Sequence, residues 1–441
     1  MKSYINSSWL NIDSLNITSL NSPVDFRTTF FKLIKEAKER IYITALYWEN
    51  DETGRELLDA LIEKSSINKD IKINIFIDYH RSRRGRYGET SSTTDFNWYK
   101  DIISQYSNIN IFSIPVNTRE IFGVLHIKGI VIDNNLLYSG ASINNIYFQK
   151  FENYRLDRYF LIKDLPLVEI FVNFIDKFFI NYSNSSYQIN KSFAEATKSQ
   201  MRKYRYSLKN ASYIEENKNN SFEDVSSVRI KPLFGIGRKN NFSHCIHELL
   251  FKAKEKVIIS TPYFNFPNIL KKDLESLLIK GVKVEIIVGD KKANDFFILD
   301  ENHFSTSGII PYVYEMNLKK FAKKFEKYLK NNSLVLNIWE DSRNSFHAKG
   351  LWVDDQYMIL SGNNLNPRSY RLDAENGLLF NFSDLEFKKK VEDELLGIKV
   401  NTRRVSSYKE IDSFGSYPKA VKKVIKKFTR LQLIKLAKYV L

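Results

Sequence analysis

Short apolar runs bounded by charged residues recur along the chain and predict buried β-strands. One such run spans residues 40–48, and a second with the same pattern spans residues 256–264. Each follows a segment whose apolar residues repeat at helical spacing, which predicts an amphipathic helix before the strand. The same helix-then-strand pattern thus occurs twice.

The repetition extends further along the chain. Four segments of the first half recur in the second half, in the same order and at a nearly constant offset. The matched pairs are residues 40–48 and 256–264, 71–78 and 282–289, 126–133 and 347–354, and 138–144 and 360–366. Chance similarity of apolar strands would give one such match, whereas four in order predict two copies of one α/β domain.

A change of composition marks the junction between the two copies. Residues 183–228 are rich in Ser, Asn, Lys and Glu and are interpreted as a linker. We therefore expect a first domain over residues 1–182, a second domain over residues 229–400, and a basic extension over residues 401–441.

Composition and charge narrow the class of protein. Hydrophobic residues make up 43% and aromatic residues 14% of the 441 positions, which excludes wholesale disorder. Cys245 is the only cysteine, so a disulfide framework and a cysteine-based zinc site are both excluded. We expect neither a secretory signal nor a membrane-spanning helix. With 67 Lys and Arg against 51 Asp and Glu, the net charge of +16 predicts a polyanionic partner, either a membrane or a nucleic acid.

The basic charge is concentrated at the C-terminus, where the last 23 residues carry eight cations and no acid. Between Val421 and Arg430, apolar residues fall on one side of a predicted helix and cations on the other. This pattern is typical of a helix lying on anionic lipid, and a helix packed on the protein core is the alternative. The predicted membrane-binding residues are Lys422, Lys423, Lys426, Lys427, Phe428 and Arg430.

The strongest chemical signal is the motif His-x-Lys-x4-Asp, which occurs once in each half of a chain with only six histidines. The two copies consist of His126, Lys128 and Asp133, and of His347, Lys349 and Asp354. A His and a Lys two positions apart on a strand point to the same face. The Asp lies at an odd offset, so it faces away and is expected to brace the strand end. Asn144 and Asn366 follow at corresponding positions.

These residues suit chemistry at a phosphodiester. If the halves pack face to face, one site holds two imidazoles, two ammonium groups and two amides. Lys and Asn would stabilise charge on the phosphoryl oxygens. One imidazole would attack phosphorus, and the other would donate a proton to the leaving oxygen. Because the lysines take the charge role, we expect no metal and no cofactor.

A nucleophilic imidazole needs an acceptor for its second ring nitrogen, which fixes the tautomer and steadies the cation. The candidates are Asp157 and Glu375, each about thirty residues after the histidine of its own half. Surface salt bridges are the alternative role for these two acids.

The doubled motif resembles that of the phospholipase D superfamily. Segments outside the motif resemble, within it, the family of proteobacterial-type phosphatidylserine synthases, and the likeness covers nearly the whole chain. These segments are residues 78–86, 115–120, 123–126, 261–265, 288–296 and 362–368. One departure is that Gly-Ala-Ser-x-Asn and Gly-Asn-Asn-x-Asn stand where the superfamily usually has Gly-Ser-x-Asn.

The resemblance implies two tandem phospholipase D-like domains, each a mixed sheet flanked by helices, packed with pseudo-twofold symmetry around one active site. It implies transfer of a phosphatidyl group from CDP-diacylglycerol to L-serine through a phosphatidyl-histidine, with release of CMP and no need for a nucleic acid. The choice of His126 as nucleophile is carried over from the superfamily, since the sequence itself is symmetric on this point. The expected location is peripheral, on the inner face of the cytoplasmic membrane.

Further residues are candidates for substrate binding, each with a purely structural role as the alternative. Arg81 and Arg84 would grip the pyrophosphate or lipid head groups, and Gly237 would help to cradle a phosphate. Tyr263 would stack on cytosine or line an acyl entry, and Asn265 belongs to the same segment.

The acceptor and the oligomeric state stay open at this point. Glycerol, phosphatidylglycerol or water would make the chain a cardiolipin synthase-like transferase or a phospholipase. A nuclease of the same superfamily is a further alternative, which the positive charge would also suit.

Overall fold

The computed structural model describes residue 5 and residues 8–84, 95–181, 197–214, 228–298 and 306–431. The strands are β1 (Leu10–Ile12), β2 (Ile17–Leu20), β3 (Arg40–Thr44), β4 (Lys72–Asp78), β5 (Ile109–Ile114), β6 (Leu125–His126), β7 (Gly129–Ile132), β8 (Asn135–Ser139), β9 (Arg155–Leu156), β10 (Tyr159–Lys163), β11 (Val228–Ile236), β12 (Lys256–Thr261), β13 (Lys283–Gly289), β14 (Leu334–Trp339), β15 (Ser345–Phe346), β16 (Gly350–Val353), β17 (Tyr357–Ser361), β18 (Ala374–Asn381) and β19 (Thr402–Val405). The helices are α1 (Pro23–Glu36), α2 (Glu52–Ile67), α3 (Asp95–Gln105), α4 (Leu165–Ile175), α5 (Lys198–Lys209), α6 (Asn241–Lys252), α7 (Asn268–Ile279), α8 (Ile310–Lys324), α9 (Glu326–Lys330), α10 (Leu385–Lys399) and α11 (Lys419–Arg430).

Both halves build a mixed sheet with the same internal order. In the first half the order is β2-β10-β8-β7-β3-β4-β5, with β3, β4 and β5 parallel and the other pairs antiparallel. In the second half, β18-β17-β16-β12-β13-β14 repeats this pattern, with β12, β13 and β14 parallel. The predicted α/β fold of two similar mixed sheets is therefore confirmed.

Among the described residues, the three largest apolar cores separate the layers. One outer core joins α1, α2 and α3 to the first sheet, and the other joins α6, α7 and α8 to the second sheet. The central core lies between the two sheets and includes α4 and α10. Parallel strands buried on both faces read as nearly continuous apolar runs, which explains the repeated apolar segments of the sequence.

Two short strands of the first half, β6 and β9, pair with strands of the second half near the two motifs. Strand β6 pairs in parallel with β18, so that His126 is opposite Glu375. Strand β9 pairs in parallel with β15, so that Arg155 is opposite Ser345. The side chain of Asn376 also bonds both backbone groups of Lys128, at 2.8 and 2.7 Å. The halves are thus joined by backbone pairing where the two motifs meet.

The ends and the junction of the chain connect the halves further. Strand β1 pairs with β11 in the second sheet, although the sequence grouped it with the first domain. Within the predicted linker, α5 buries Met201, Tyr204 and Leu208 on one face, while residues 183–196 and 215–227 lie outside the described residues. The domain boundaries drawn from the sequence remain predictions.

The C-terminal helix α11 packs on the protein. Val421 and Ile425 are 1% and 2% exposed and lie against Ile309, Tyr312 and Tyr417. The interpretation of this apolar face as a lipid-facing surface is therefore wrong, because aromatic and aliphatic groups of the second half already cover it. The cations Lys423, Lys426, Lys427 and Arg430 stay exposed, and residues 432–441 are not described. In the described part of the chain, no helix combines the length and apolarity that crossing a membrane requires.

Candidate active site

The two motifs meet in one cavity of about 670 Å³ between the halves. His126 ends β6 and His347 directly follows β15, so the paired short strands carry both imidazoles to the cavity wall. Both histidines are buried, at 8% and 6% exposure. Lys128 lines the same cavity. The predicted single site with contributions from both halves is what the fold creates.

Each imidazole is held by a carboxylate from the opposite half. Nδ1 of His126 lies 2.9 Å from Oε2 of Glu375, and Nδ1 of His347 lies 2.7 Å from Oδ2 of Asp157. The sequence had grouped each acid with the histidine of its own half, and that pairing is wrong. Pairing of β6 with β18 and of β9 with β15 exchanges the acids across the interface. In both pairs the carboxylate bonds Nδ1, so Nε2 is the nitrogen that faces chemistry. Nε2 of His347 also contacts Lys349 and Tyr147.

The surroundings of His126 favour a neutral pair. Burial and the nearby Lys128 lower the pKa of His126 well below its ordinary value. Burial and repulsion from Asp373 raise the pKa of Glu375 well above its ordinary value. Both groups are therefore neutral, and Nδ1–H of His126 donates to Oε2 of Glu375 while the carboxyl proton resides on the other oxygen. With the ring proton on Nδ1, Nε2 keeps a lone pair that can attack phosphorus.

The pair in the other half is charged differently. Burial raises the pKa of Asp157, but Lys349 and His347 outweigh burial and lower it to about 2. Nζ of Lys349 lies 3.2 Å from Oδ2 of Asp157 and contacts both ring nitrogens of His347, with Nε2 at 2.9 Å. The hydroxyl of Tyr147 also lies 3.2 Å from that Nε2. Burial and Lys349 lower the pKa of His347 to about 3, so its imidazole is neutral in the free site.

The two lysines are buried cations whose charge is costly without an anion. Burial and Lys349 lower the pKa of Lys128 to about 7, and burial lowers the pKa of Lys349 to about 8 against the attraction of Asp157. Nζ of Lys128 has a hydroxyl partner, Ser142, at 3.2 Å. A bound phosphodiester would supply the missing negative charge.

The motif aspartates lie at strand ends, outside the cavity lining. Asp133 accepts hydrogen bonds from the backbone N–H groups of residues 38, 39 and 40, at 2.8 to 3.1 Å. Asp354 accepts the equivalent three bonds from residues 254, 255 and 256. Each aspartate therefore ties a helix-to-strand turn to the strand that carries the motif. They act on the structure, as the odd offset predicted, and do not reach the reacting groups.

The two asparagines also support the wall of the cavity. Asn144 donates to Oε2 of Glu49 at 3.2 Å and accepts from the backbone N–H of Tyr147 at 3.0 Å. Asn366 lines the cavity and accepts from the backbone N–H of Ser369 at 2.9 Å. The predicted role as amide donors to phosphate stays a prediction for both.

Comparison with known proteins identifies the family that shares this architecture. The family model described as "Cardiolipin synthase, PLD-like domain" matches residues 30–176 and 246–398, which contain both motifs. The chain belongs to the phospholipase D-like family. A CDP-diacylglycerol–serine O-phosphatidyltransferase of Haemophilus influenzae is 40% identical, over 99% of this chain and 97% of that protein. The enzyme of the same name from Escherichia coli is 38% identical, over 95% and 93%.

A solved structure shares the whole phospholipase D-like architecture. The crystal structure of phosphatidylserine synthase from Haemophilus influenzae superposes with a TM-score of 0.93 at 40% identity, covering 99% of this chain and 97% of that one. The likeness thus includes the extension after the second domain as well as the two repeats.

Three of the predicted substrate-binding residues line the phospholipase D-like cavity, namely Arg81, Arg84 and Tyr263. Asn265 is buried near Asn317 and is not in the cavity lining. Gly237 lies in a separate cavity of about 350 Å³ with Arg205 and Lys209. Gly237 is therefore not part of the cavity that holds the two motifs, and its predicted contact with a phosphate stays a prediction.

Residues outside the repeated motif complete the wall beside His347. Arg155 and Asp295 line the cavity and form an ion pair at 2.8 Å. Tyr147 places its ring 5.2 Å from that of His347. A signal for Arg155 was present in the sequence, since it lies two positions before Asp157 on the same extended segment and so shares its face.

The rest of the phospholipase D-like cavity is largely apolar and reaches α11. Its apolar wall consists of Ile121, Val124, Phe296, Ile309, Ile310, Val313 and Phe428. Phe428 had been predicted as a membrane contact, and the structure places it in this wall. Within the described residues, no group of three or more His, Cys, Asp or Glu side chains is arranged to hold a metal ion.

Proposed function

We propose that the chain is a CDP-diacylglycerol–serine O-phosphatidyltransferase, which transfers the phosphatidyl group to L-serine and releases CMP. The observation that carries the proposal is the convergence of His126 and His347 on one cavity, each held through Nδ1 by a carboxylate. Full-length relatives that carry this enzyme name support the choice of donor and acceptor.

The first half-reaction uses both imidazoles in different ways. Nε2 of His126 attacks the phosphorus that carries diacylglycerol, and the bond from phosphorus to the CMP oxygen breaks. The anionic substrate offsets the charge of Lys128 and Lys349, which raises the pKa of His347 above its value in the empty site. His347 then takes up a proton and gives it to the departing oxygen of CMP.

The second half-reaction reverses these roles. His347, neutral once more, accepts the proton of the serine hydroxyl while Asp157 stabilises the resulting imidazolium. The serine oxygen attacks phosphorus, the bond between phosphorus and His126 breaks, and the electron pair returns to the imidazole. Lys128 and Lys349 stabilise the charge on the non-bridging oxygens in both steps.

Arg81 is suited to the pyrophosphate of the donor. Its Nη1 is buried without a hydrogen-bond partner among the described residues. The side chain lies over the ring of Tyr47, at 4.6 Å, and 3.5 Å from Glu49. A buried guanidinium with an unused donor is stabilised by an oxygen anion. Arg81 would therefore grip the pyrophosphate, with Arg84 beside it.

We also propose that the protein works at the inner face of the cytoplasmic membrane as a peripheral protein. The donor carries two acyl chains, and the apolar wall of the cavity ends at α11. The exposed cations of this helix would lie toward anionic head groups while its apolar face stays on the protein. Lipid would then pass from the bilayer along Phe428 into the cavity.

The proposal is tested by exchange of labelled CMP into CDP-diacylglycerol, which needs only the first half-reaction. His126→Ala should abolish both exchange and serine transfer, because the covalent intermediate cannot form. The matched control is His244→Ala, a histidine of α6 outside the cavity, which should keep both activities. Normal exchange in His126→Ala would refute the assigned nucleophile. Exchange without any serine transfer in the native protein would favour another acceptor.

A further inference from the structure

The cavity wall beside His347 contains an ion pair that the transfer steps do not use. Arg155 and Asp295 both line the cavity, and Nη2 of Arg155 lies 2.8 Å from Oδ1 of Asp295. The side chain of Arg155 is 10% accessible and that of Asp295 is 26% accessible. Removing two charges from water costs free energy that their attraction often fails to recover. A pair kept at this position is therefore expected to serve binding rather than stability.

The backbone fixes this pair close to the reacting imidazole. In the pairing of β9 with β15, Arg155 is opposite Ser345, which lies two residues before His347. Nε of Arg155 donates to Oγ of Ser345 at 3.0 Å. The guanidinium lies 4.7 Å from the centre of the Tyr147 ring. The hydroxyl of that tyrosine is 3.2 Å from Nε2 of His347. One aromatic ring thus separates the guanidinium from the imidazole, so a molecule of a few heavy atoms reaches both.

The charges of the pair match those of an amino acid. Burial opposes the charge on Arg155, but Asp295 and neighbouring tyrosines outweigh burial and raise the pKa of Arg155. The guanidinium fork suits a carboxylate, and the partly accessible carboxylate of Asp295 suits an ammonium group. The Tyr263 ring lies in the same cavity wall, 6.4 Å from the ring of His347. A net-neutral pair would attract a zwitterion more than it would attract an anion or a neutral alcohol.

We propose that Arg155 and Asp295 are the acceptor-recognition site, with Arg155 binding the α-carboxylate and Asp295 the α-ammonium group of a hydroxy amino acid. The two contacts aim the hydroxyl of the acceptor at His347. Glycerol and water lack both charges and leave the pair unused, so the pair selects the amino acid as the acceptor. This inference rests on the proposed phosphatidyl transfer to serine.

The test compares three acceptors with detergent-dispersed CDP-diacylglycerol. L-Serine carries both charges, 3-hydroxypropionate lacks the ammonium group, and ethanolamine lacks the carboxylate. In the native protein, kcat/KM should be about 100-fold higher for serine than for either analogue, because each analogue leaves one buried charge unmatched. CMP exchange is measured in the same preparations as a reference that needs no acceptor.

Two variants should remove this discrimination in opposite ways. Asp295→Asn should lower kcat/KM for serine, relative to CMP exchange, by about 100-fold and abolish the preference for serine over 3-hydroxypropionate. Arg155→Lys should instead abolish the preference for serine over ethanolamine, because the bidentate fork is lost. Asp295→Glu keeps the charge and should keep the preference for ammonium-bearing acceptors. Asp273→Asn, in α7 and outside the cavity, is the matched control.

The outcomes separate this inference from the proposed function. If Asp295→Asn lowers transfer to serine and to 3-hydroxypropionate equally, Asp295 only positions Arg155 and the inference is wrong. If native protein exchanges CMP but uses 3-hydroxypropionate and ethanolamine as well as it uses serine, the inference is likewise wrong, while the histidine chemistry stands. If native protein shows no CMP exchange, the proposed function itself fails.

Discussion

The pair of His347 with Asp157 and the pair of His126 with Glu375 occupy equivalent positions but differ in charge. Asp157 is kept ionised by Lys349, which lies 3.2 Å from it. Among the described residues no ion pair joins Glu375 to Lys128, whose Nζ lies 3.2 Å from the hydroxyl of Ser142. The pKa of Glu375 is raised accordingly by burial and by Asp373. A repeat of nearly identical motifs thus gives one histidine paired with a neutral carboxyl group and one histidine paired with an ionised carboxylate.

The difference teaches that the motif supplies groups, whereas the interface sets their roles. The carboxylates come from the opposite halves, so the environment of His126 depends on a residue 249 positions away along the chain, and that of His347 on one 190 positions away. Neutral imidazole is the nucleophile of the first half-reaction, and an imidazole supported by an ionised acid is the better proton carrier. This assignment agrees with His126 as the nucleophile.

The largest expected effect comes from replacing the two carboxylates, which tests whether the two pairs differ in charge. Asp157→Asn should lower kcat for serine transfer by about 10³ to 10⁴, because the amide cannot stabilise the imidazolium of His347. Glu375→Gln should cost at least about tenfold less, because a neutral amide resembles the neutral carboxyl group favoured at that position. Asp133→Asn is the control, since this aspartate bonds only to a turn, and it should lower thermal stability rather than kcat. Steady-state kinetics and thermal melts of the three variants decide the matter, and equal losses for Asp157→Asn and Glu375→Gln would contradict the asymmetry.

A smaller loss is expected from a glycine that makes room for Asp157. A Cβ atom at Gly140 would lie 2.7 Å from Oδ2 of Asp157, the oxygen that bonds His347. Gly140→Ala should therefore displace the carboxylate and lower kcat by about 10- to 100-fold with the fold intact. Gly397→Ala in α10 meets no atom within 4 Å and serves as the control. Native kcat in Gly140→Ala would show that the position of Asp157 is not limiting.

The pH dependence sharpens the comparison of the two lysines. In the free site the pKa is about 7 for Lys128 and about 8 for Lys349, so both lose charge as pH rises through this range. The kcat/KM for CDP-diacylglycerol should fall above about pH 8, since the anionic donor loses its partners.

The lowered pKa of Lys128 also makes the free energy of unfolding depend on pH, in the opposite direction to activity. Between about pH 7 and 10.5 the unfolded chain binds more protons at Lys128, so this group makes stability rise with pH. Lys128→Met should abolish activity yet melt at a higher temperature than native protein near pH 7, and a lower melting temperature would contradict this account.

The smallest effect concerns α11, which follows the second half. Replacing Lys423, Lys426 and Lys427 with Gln should weaken binding to anionic vesicles by about 1 kcal/mol per charge at low salt. Activity on micellar substrate should stay near native, because these side chains are exposed and outside the cavity lining. Vesicle sedimentation at several salt concentrations measures the effect. Unchanged binding would place the membrane contact elsewhere on the protein.

Local sequence predicted the parts of the fold and site that depend on local periodicity. The repeated apolar runs became the parallel strands of both sheets, and the spacing of His126 and Lys128 placed both in one cavity. The odd offset of Asp133 was also sufficient to turn it toward a strand end. Each of these outcomes follows from the two-residue period of a strand.

What the sequence could not predict depends on pairing between distant segments. The exchange of Asp157 and Glu375 results from β6 joining β18 and β9 joining β15, and no spacing within one half indicates it. The ion pair of Arg155 with Asp295 likewise joins residues of different halves. The apolar face of α11 was ambiguous for another reason, because an amphipathic helix has the same pattern whether it covers protein or lipid.

The central claim is that His126 forms the covalent intermediate while His347 moves the proton. Native protein is mixed with CDP-diacylglycerol without serine, quenched in alkaline denaturant that preserves phosphohistidine, and digested for peptide mass spectrometry. The account predicts a phosphatidyl group on His126, which disappears when serine is added before the quench. A phosphatidyl group on His347, or none on either histidine during active CMP exchange, would contradict it.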